Sequence, residues 1–488
     1  MTPVVENLSE NKRQVEFMCE NCMDIVRQEI TLGEGKALLV YVETTATMMD
    51  QSVVARALKK LSEADRERQG QLIRENGLGA EKSKQFTVLE KALASMLTGD
   101  VLLFVDGCSV AVTLADKGYP GKPVGNCEAE KVIRGSSEGF SDSVKTNEAL
   151  VRKRIRSTGL KIVEKKAGIR SETTLAILYM EELVQSEFLE KLQQGLENYC
   201  IDGVFDSGTL EQLLERDWSS PFPQFQSTQR PDRAARELLE GRVVLMCDNS
   251  PTTLLLPAAF DDFFRVSEDH YNRFELVSFE RLIRYGAMLA ALYISALYLS
   301  VISFHTQLLP TALLLSLAEA RQGVPFPPLI EVLLMELSFE VIREAGVRMP
   351  GPLSGTIGIV GGLIIGDAAV SANLVSPMSV IVVAFGALCT FAVPDEEFSA
   401  ALRLVRFILI FLGGFLGFGG IVCGSFWLYL HLCGLESFGI PYMQIVHRYT
   451  LNAQDRIVRK PMAKLRNRPF YVPKDQSVRL KENKQQGK

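Results

Sequence analysis

The chain has 488 residues, 53 of them basic and 58 acidic, for a net charge of -5; that length suggests about three domains. Its nine cysteines are scattered and odd in number, which argues against a disulfide framework and fits a reducing compartment. The near-neutral total hides an asymmetry: residues 1–250 hold 32 Lys and Arg against 39 Asp and Glu, whereas 447–488 hold 12 against 3.

The start, MTPVVENLSENKR, has no apolar stretch of the kind a cleaved signal needs, so none is expected. Residues 1–85 read as a mostly helical, charged segment, with Arg66 to Lys84 a solvated helix or linker. Cys19 and Cys22 form the one close cysteine pair. A zinc site would need two more ligands, and His270, His305, His431 and His447 lie far away in sequence, so no metal and no cofactor is expected.

Residues 86–280 read as an α/β head of two related subdomains. The string from Leu97 to Gly107 recurs in outline from Leu239 to Asn249: a helical pattern ends at a glycine, and a short apolar strand runs into an Asp-Gly or Asp-Asn turn. Returning strands are expected at Ser109 to Leu114 and Thr252 to Leu256. Between the copies the patterns predict a helix over Gly139 to Arg156, a strand over Thr174 to Met180, and helices near Glu181 to Asn198 and Gly208 to Glu215. Arg152, Lys153, Arg154 and Arg156 make the densest basic cluster of the head. With no aromatic platform or groove-reading motif beside it, the cluster reads as a solvated face or a contact with an acidic neighbour rather than a nucleic-acid site.

Residues 281–435 read as a helical transmembrane domain of four to six segments. Tyr285 to Phe304 has no charge over 20 residues, which at about 1.5 Å per residue matches a hydrocarbon core of about 30 Å. Phe407 to Leu430 is also uncharged, and Gly355 to Gly366 and Ser379 to Val393 are nearly as apolar. Leu308 to Ala318 is too short to cross alone, and Pro325, Pro327 and Pro328 interrupt the chain just after it, which allows a re-entrant element.

Charges inside such segments carry the information. From Pro327 the periodicity places Glu336, Glu340, Arg343 and Glu344 on one helical face and Glu331 on the apolar side. Two readings stand. The stripe lines water, as in an ion pathway that would include Glu336, Glu340, Arg343 and Asp367, or the helix lies at the membrane surface or packs its polar face on the head. Gly358, Gly362 and Gly366 recur every four residues and predict a close-packed helix or oligomer interface; Gly413 and Gly417 belong to a second glycine-rich surface. Arg281 and Arg284 before the first span, and the basic tail 436–488, place head and tail in the cytoplasm, while Arg403 and Arg406 give a contrary orientation signal.

Arg134-Gly135-Ser136-Ser137-Glu138-Gly139-Phe140-Ser141-Asp142, with Thr146-Asn147 and Arg152-Lys153-Arg154, resembles the RGPxEGFxE, TN and RxR pattern of the A subunits of bacterial spore germination receptors of the GerA type. Ser220 to Gln224 with Arg230-Pro231-Asp232, Gly323 to Pro327 with Met335 to Leu337, Thr356 to Gly362, Leu374 to Pro377, Asp455 to Ile457 and Arg468-Pro469 look like the same family, in order from about residue 95 to about 470. Ser136, Asp142 and Gln229 depart from the pattern, which usually has Pro, Glu and Glu there.

The resemblance implies a component of a receptor in the spore inner membrane, working with a transporter-like, germinant-binding B subunit and a lipoprotein C subunit. It also implies a homo-oligomer forming a nutrient-gated ion channel, or a developmental paralogue that accompanies such receptors. A non-conducting scaffold is a second reading. A secondary transporter would show two matching sets of broken spans, and only one is evident. No phosphate-binding loop, metal set or paired nucleophile and base can be read, so an enzyme is not expected.

Overall fold

The computed structural model describes residues 2–33, 35–43, 53–75, 78, 83–115, 127, 130, 132–348, 366–443, 455 and 457–480. The chain divides into two compact units: Met1–Arg216, Phe225–Ala258 and Arg466–Lys488 form one, Asp217–Gln224 and Ala259–Leu465 the other.

The first unit carries two five-stranded antiparallel sheets of the same topology. The strands β1 (Ile25–Leu32), β2 (Gly35–Val42), β3 (Lys84–Phe86), β4 (Val101–Val105) and β5 (Ala111–Leu114) are ordered β1-β2-β4-β5-β3. In the second, β6 (Leu160–Ala167), β7 (Thr173–Met180), β8 (Gln226–Thr228), β9 (Val243–Cys247) and β10 (Thr253–Leu256) are ordered β6-β7-β9-β10-β8. The 11-residue echo seen in the sequence is thus the most legible part of a repeat that covers a whole sheet. In each copy a left-handed glycine, Gly99 or Gly241, precedes the central strand, and Gly107 or Asn249 takes positive φ in the turn after it.

Helices cover the sheets: α1 (Leu8–Met18), α2 (Val53–Ser62), α3 (Arg66–Arg74) and α4 (Leu89–Met96) in the first copy, and α5 (Val144–Arg154), α6 (Ser186–Asn198), α7 (Ser207–Leu214) and α8 (Pro231–Leu239) in the second. Strand alternation divides the first core. Leu38, Val40 and Val42 pack with Val15, Leu89 and Leu93, while Ala37 and Leu39 pack with Val54, Leu61 and Ile73 on the other face.

Residues 1–85 are therefore not a helical segment or linker: β1 and β2 pair from Ile25↔Val42 to Leu32↔Gly35 and complete the first sheet. β1 is an edge strand with Glu29 exposed and burial concentrated at its two ends, so its pattern lacks clean alternation. β2 is an apolar run too short to distinguish a strand from a buried helix.

The expected tail from 436 to 488 also divides. β11 (Glu436–Ser437) and β12 (Ile440–Pro441) form a small hairpin of the second unit. Residues 466–480 instead fold onto the first unit. Tyr471 is buried edge-on against Phe188, and its hydroxyl accepts from Arg242 Nε at 3.1 Å. Arg479 Nη1 meets Glu240 Oε1 at 2.9 Å.

The second unit is helical: α9 (Phe274–Phe304), α10 (Thr311–Ala320), α11 (Pro328–Arg348), α12 (Pro377–Phe391) and α13 (Glu396–Gly434). Among the described residues α9 and α13 are long and apolar enough to cross a membrane. α13 is a helical hairpin, because Gly417, at φ 60° and ψ -144°, separates arms 396–416 and 418–434. The arms lie back to back, with Gly424 against Leu409 and Leu412, and Phe398 and His431, near the two ends, both flank the Phe222 ring. At about 1.5 Å per residue the arms measure roughly 31 and 26 Å.

The first arm runs parallel to α9. Phe398 and Tyr285 both pack on Phe264, and Gly413 lies against Ala296 and Gly417 against Phe304. α12 runs the opposite way, with Ser379 beside Tyr298 and Cys389 packed with Ala287 and Ala291.

Candidate functional site

The chemistry of the helical unit lies in charges that its apolar helices enclose. Pro328 opens α11, where its missing N–H costs nothing, and the carboxylates come after it at helical spacing. Glu331, on the side that reads as apolar, is fully buried, accepts from the Ser376 N–H at the start of α12 and lies 3.8 Å from Arg321. One and a half turns on, Glu336 is fully buried: Ser295 Oγ donates to its Oε1 at 2.8 Å, and Arg406 Nη2 stands 2.8 Å from Oε2. The second contact is electrostatic without hydrogen-bond alignment, since Oε2 accepts no hydrogen bond among the described residues. Glu340 is shared by Arg403 Nε and Arg406 Nη2, each at 3.4 Å.

These positions refine the expected site. Glu336 is buried within the chain, its carboxylate enclosed by Ser295 and Arg406. Arg343 is not the cation of the stripe: its guanidinium lies over the Phe391 ring, 5.4 Å from the centroid. The cations are Arg403 and Arg406, three residues apart on α13 and hence on one face, opposite acids four residues apart on α11. Asp367 is exposed and has no ion-pair partner among the described residues.

Gly358 and Gly362 lie outside the described residues. Gly366 faces Val380, where a Cβ would make ordinary contact at 3.7 Å. Gly413 serves helix packing inside the chain, since a Cβ there would come 2.9 Å from the Ala296 carbonyl oxygen.

A second enclosed cluster holds the start of α9. Arg281, fully buried, meets Asp269 at 2.8 Å and Asp455 at 2.7 Å, and Arg284 meets Asp269 at 3.0 Å. Asp455 comes from the basic tail segment and Asp269 from the turn before the helix, partners that no local pattern links.

In the first unit the motif residues are structural. Asn147 closes the loop before α5 by accepting from the Ser141 N–H at 2.8 Å and donating to the Ser141 carbonyl at 2.7 Å. Arg152 is buried and bidentate to Asp24, with two contacts of 2.8 Å that tie the second copy to the first. Arg154 and Lys153 share Glu138, and hydrogen bonding to Lys153 leads the effects that hold its carboxyl below the usual range. The basic cluster therefore contacts acidic neighbours within its own unit. Arg230 pairs with Asp232 at 3.1 Å and donates to the Ser136 carbonyl at 2.7 Å, and Pro231 starts α8. Phe140 is buried, Gly139 packs on the Cys127 backbone, and Arg134 and Gly135 are exposed.

Two groups in this unit have displaced titrations. Burial pushes the Cys19 thiol up to about 12 and raises that of Cys22, so both are poor nucleophiles. Burial also pushes Glu148 up to about 8, and neither of its carboxylate oxygens has a hydrogen-bond partner among the described residues.

Comparison with known proteins agrees with the family pattern. The family described as Bacillus/Clostridium GerA spore germination protein matches residues 13–471. The "Uncharacterized membrane protein YfkQ" of Bacillus subtilis is 37% identical over 471 residues, 96% of this chain and 91% of that protein. "Spore germination protein KA" of the same organism is 33% identical over 98% of this chain and 88% of its own length, and "Spore germination protein A1" 35% over 92% of each. The crystal structure of the N-terminal domain of the A subunit of the Bacillus megaterium spore germinant receptor GerK3 is 26% identical, with a TM-score of 0.42, over 53% of this chain and 98% of that one. On the match across nearly its whole length, this chain belongs to the GerA family of spore germination proteins.

Proposed function

We propose that the chain is the A-type subunit of a germinant receptor in the spore inner membrane, where it relays a nutrient signal by opening an ion path in a homo-oligomer. The observation that carries this reading is the pair Glu336 and Arg406, enclosed among apolar helices with Glu340 and Arg403 beside it. Charges inside membrane segments are costly and are found where a segment conducts, couples or switches. A helical anchor alone has no use for four of them. Separation of α11 from the first arm of α13 would expose two carboxylates and two guanidinium groups together, so the pairs act as a latch on a polar path.

Topology supports the same reading. Residues 466–480 fold with the head, so the chain between the head and this segment crosses the membrane an even number of times. The excess of basic residues in the tail favours the cytoplasm as that shared side. A germinant-binding B subunit and a lipoprotein C subunit are the partners this family membership suggests, with the signal entering through them.

Ion flux from liposomes carrying the purified chain, with and without partner subunits, tests the proposal. Flux that depends on the chain and changes in Glu336→Gln or Glu340→Gln is the expected result. Absence of flux in every combination, with germination unaltered by both substitutions, favours a non-conducting scaffold.

A further inference from the structure

A cavity of about 700 Å³ opens between α11, α12 and the first arm of α13. Three guanidinium groups border it: Arg343, Arg403 and Arg406. Arg406 is 2% exposed, yet its Nε and Nη1 have no hydrogen-bond partner among the described residues, and Arg403 Nη1 is likewise buried and unpartnered. Arg343 has no carboxylate within ion-pair distance among the described residues and rests on Phe391. Three carboxylates face these cations: Glu340 and Glu396 border the cavity, Glu340 engages one nitrogen each of Arg403 and Arg406, and Glu336 lies 2.8 Å from Arg406 Nη2. Each guanidinium carries five N–H donors, so several donors of Arg403 and Arg406 stay unpaired even so, and buried N–H groups left unpaired are unfavourable. A further acceptor would satisfy them, and beside guanidinium groups an anionic one binds most strongly.

The rest of the wall is apolar, and that sets the second half of the ligand. Leu388 and Phe391 border the cavity while each is 66% exposed, and Ile381 and Phe385 extend the same exposed apolar surface along α12. A ligand held here would therefore have an anionic group among the arginines and a hydrocarbon part along α12. The depth agrees. Arg343 rests on Phe391, the last residue of α12, where apolar helix gives way to polar residues, and Arg406 reaches deeper, toward Glu336 and Ser295. Phosphates of a bilayer lie at that level, and arginine forks match their oxygens.

We propose that this cavity binds an anionic phospholipid of the surrounding bilayer, with its phosphate among Arg343, Arg403 and Arg406 and an acyl chain along Leu388 and Phe391. The site does not depend on ion passage. Its occupant would compete with Glu340 for the same two arginines, and bilayer composition would thereby bear on the enclosed charge pairs.

The test uses full-length purified protein in detergent, with bound lipid counted by native mass spectrometry during titration with phosphatidylglycerol, phosphatidylcholine or inorganic phosphate. Phosphatidylglycerol should be retained about tenfold more tightly than phosphatidylcholine, as expected for one or two charge-assisted contacts. Arg343→Ala, which breaks no ion pair, should remove most of that preference and Arg343→Lys should keep part of it. Leu388→Gln, on the exposed wall, should weaken phosphatidylglycerol retention without changing any binding of inorganic phosphate. Equal retention of the two lipids by the parent protein overturns the proposal, as does a preference unchanged by Arg343→Ala. Inorganic phosphate binding as tightly as phosphatidylglycerol would mean a soluble anion rather than a lipid.

Discussion

Arg406 on α13 and Glu336 on α11 meet at 2.8 Å with both side chains withdrawn from solvent, so each is the other's principal charge partner. Removing one member of such a pair leaves an uncompensated buried charge, at a cost of about 3–5 kcal/mol. Arg406→Leu should lower the thermal unfolding temperature in detergent markedly. The double substitution Glu336→Leu with Arg406→Leu should recover most of the loss, because two apolar side chains of similar bulk leave no unpaired charge at the pair and Glu340 keeps Arg403. A double variant as unstable as the single one would show that the loss comes from packing alone.

Gly417 turns α13 back on itself at φ 60° and ψ -144°, backbone that is essentially confined to glycine, and a Cβ there would approach Phe304 and His305 at 3.2 and 3.3 Å. Gly417→Ala should destabilise the helical unit by about 1–3 kcal/mol. Gly419→Ala, two residues away with open space around it, should be near neutral in the same melting experiment.

Tyr471 anchors the segment 466–480 through Phe188 and Arg242. Tyr471→Ala should cost about 3–5 kcal/mol, as for other large buried aromatic residues. Trypsin should then cut faster at Arg466 and Lys474, while Tyr471→Phe, which keeps the ring, should be protected nearly as well as the parent. Peptide mapping after brief digestion distinguishes the two.

Because that segment folds with the head, single cysteines placed at Ile169 and at Asp475, both exposed, should lie on one side of the membrane. In a chain whose native thiols are replaced, an impermeant reagent should reach neither in intact cells and both after permeabilisation. Labelling of one site alone would contradict the shared fold, and labelling of both from outside would reverse the proposed orientation.

Glu148 titrates near 8 in the folded chain because burial disfavours its charge, against 4.5 for the free side chain. The folded state therefore holds a proton that the unfolded chain releases, so this stability contribution is full below about pH 4.5 and declines as pH rises toward 8. Glu148→Gln should flatten that slope and stabilise the protein at pH 8, by about 1–2 kcal/mol. Melting temperatures of parent and variant across that pH window give the comparison.

Some of this was legible in the residues and some was not. The strand expected over Thr174 to Met180 is β7, Thr173–Met180, and the helix expected near Gly208 to Glu215 is α7, Ser207–Leu214, since local pattern and turn residues suffice for both. Phe407 to Leu430 reads as one span because a run that is apolar throughout shows no face, and the turn at Gly417 is hidden among other glycines. The spacing of Glu336 and Glu340 put them on one face as expected. Their partners lie more than 60 residues away, and which helix faces α11 is set by packing rather than by any local pattern. The complementary signal was present, however, in two arginines three residues apart just before an uncharged run.

Tyr471 and its neighbours leave the ribosome after the whole helical unit, yet they complete a domain whose other segments end at Ala258. The head must wait, with the hydrogen bond from Arg242 to Tyr471 unmade and Phe188 uncovered, while some two hundred residues of helical unit are synthesised and inserted. A chain that stalls or is cut before residue 466 presents an unfinished head surface to chaperones and proteases. Completion of the head thus reports that every helix between has been made, and the polypeptide carries its own check on the synthesis of the helical unit.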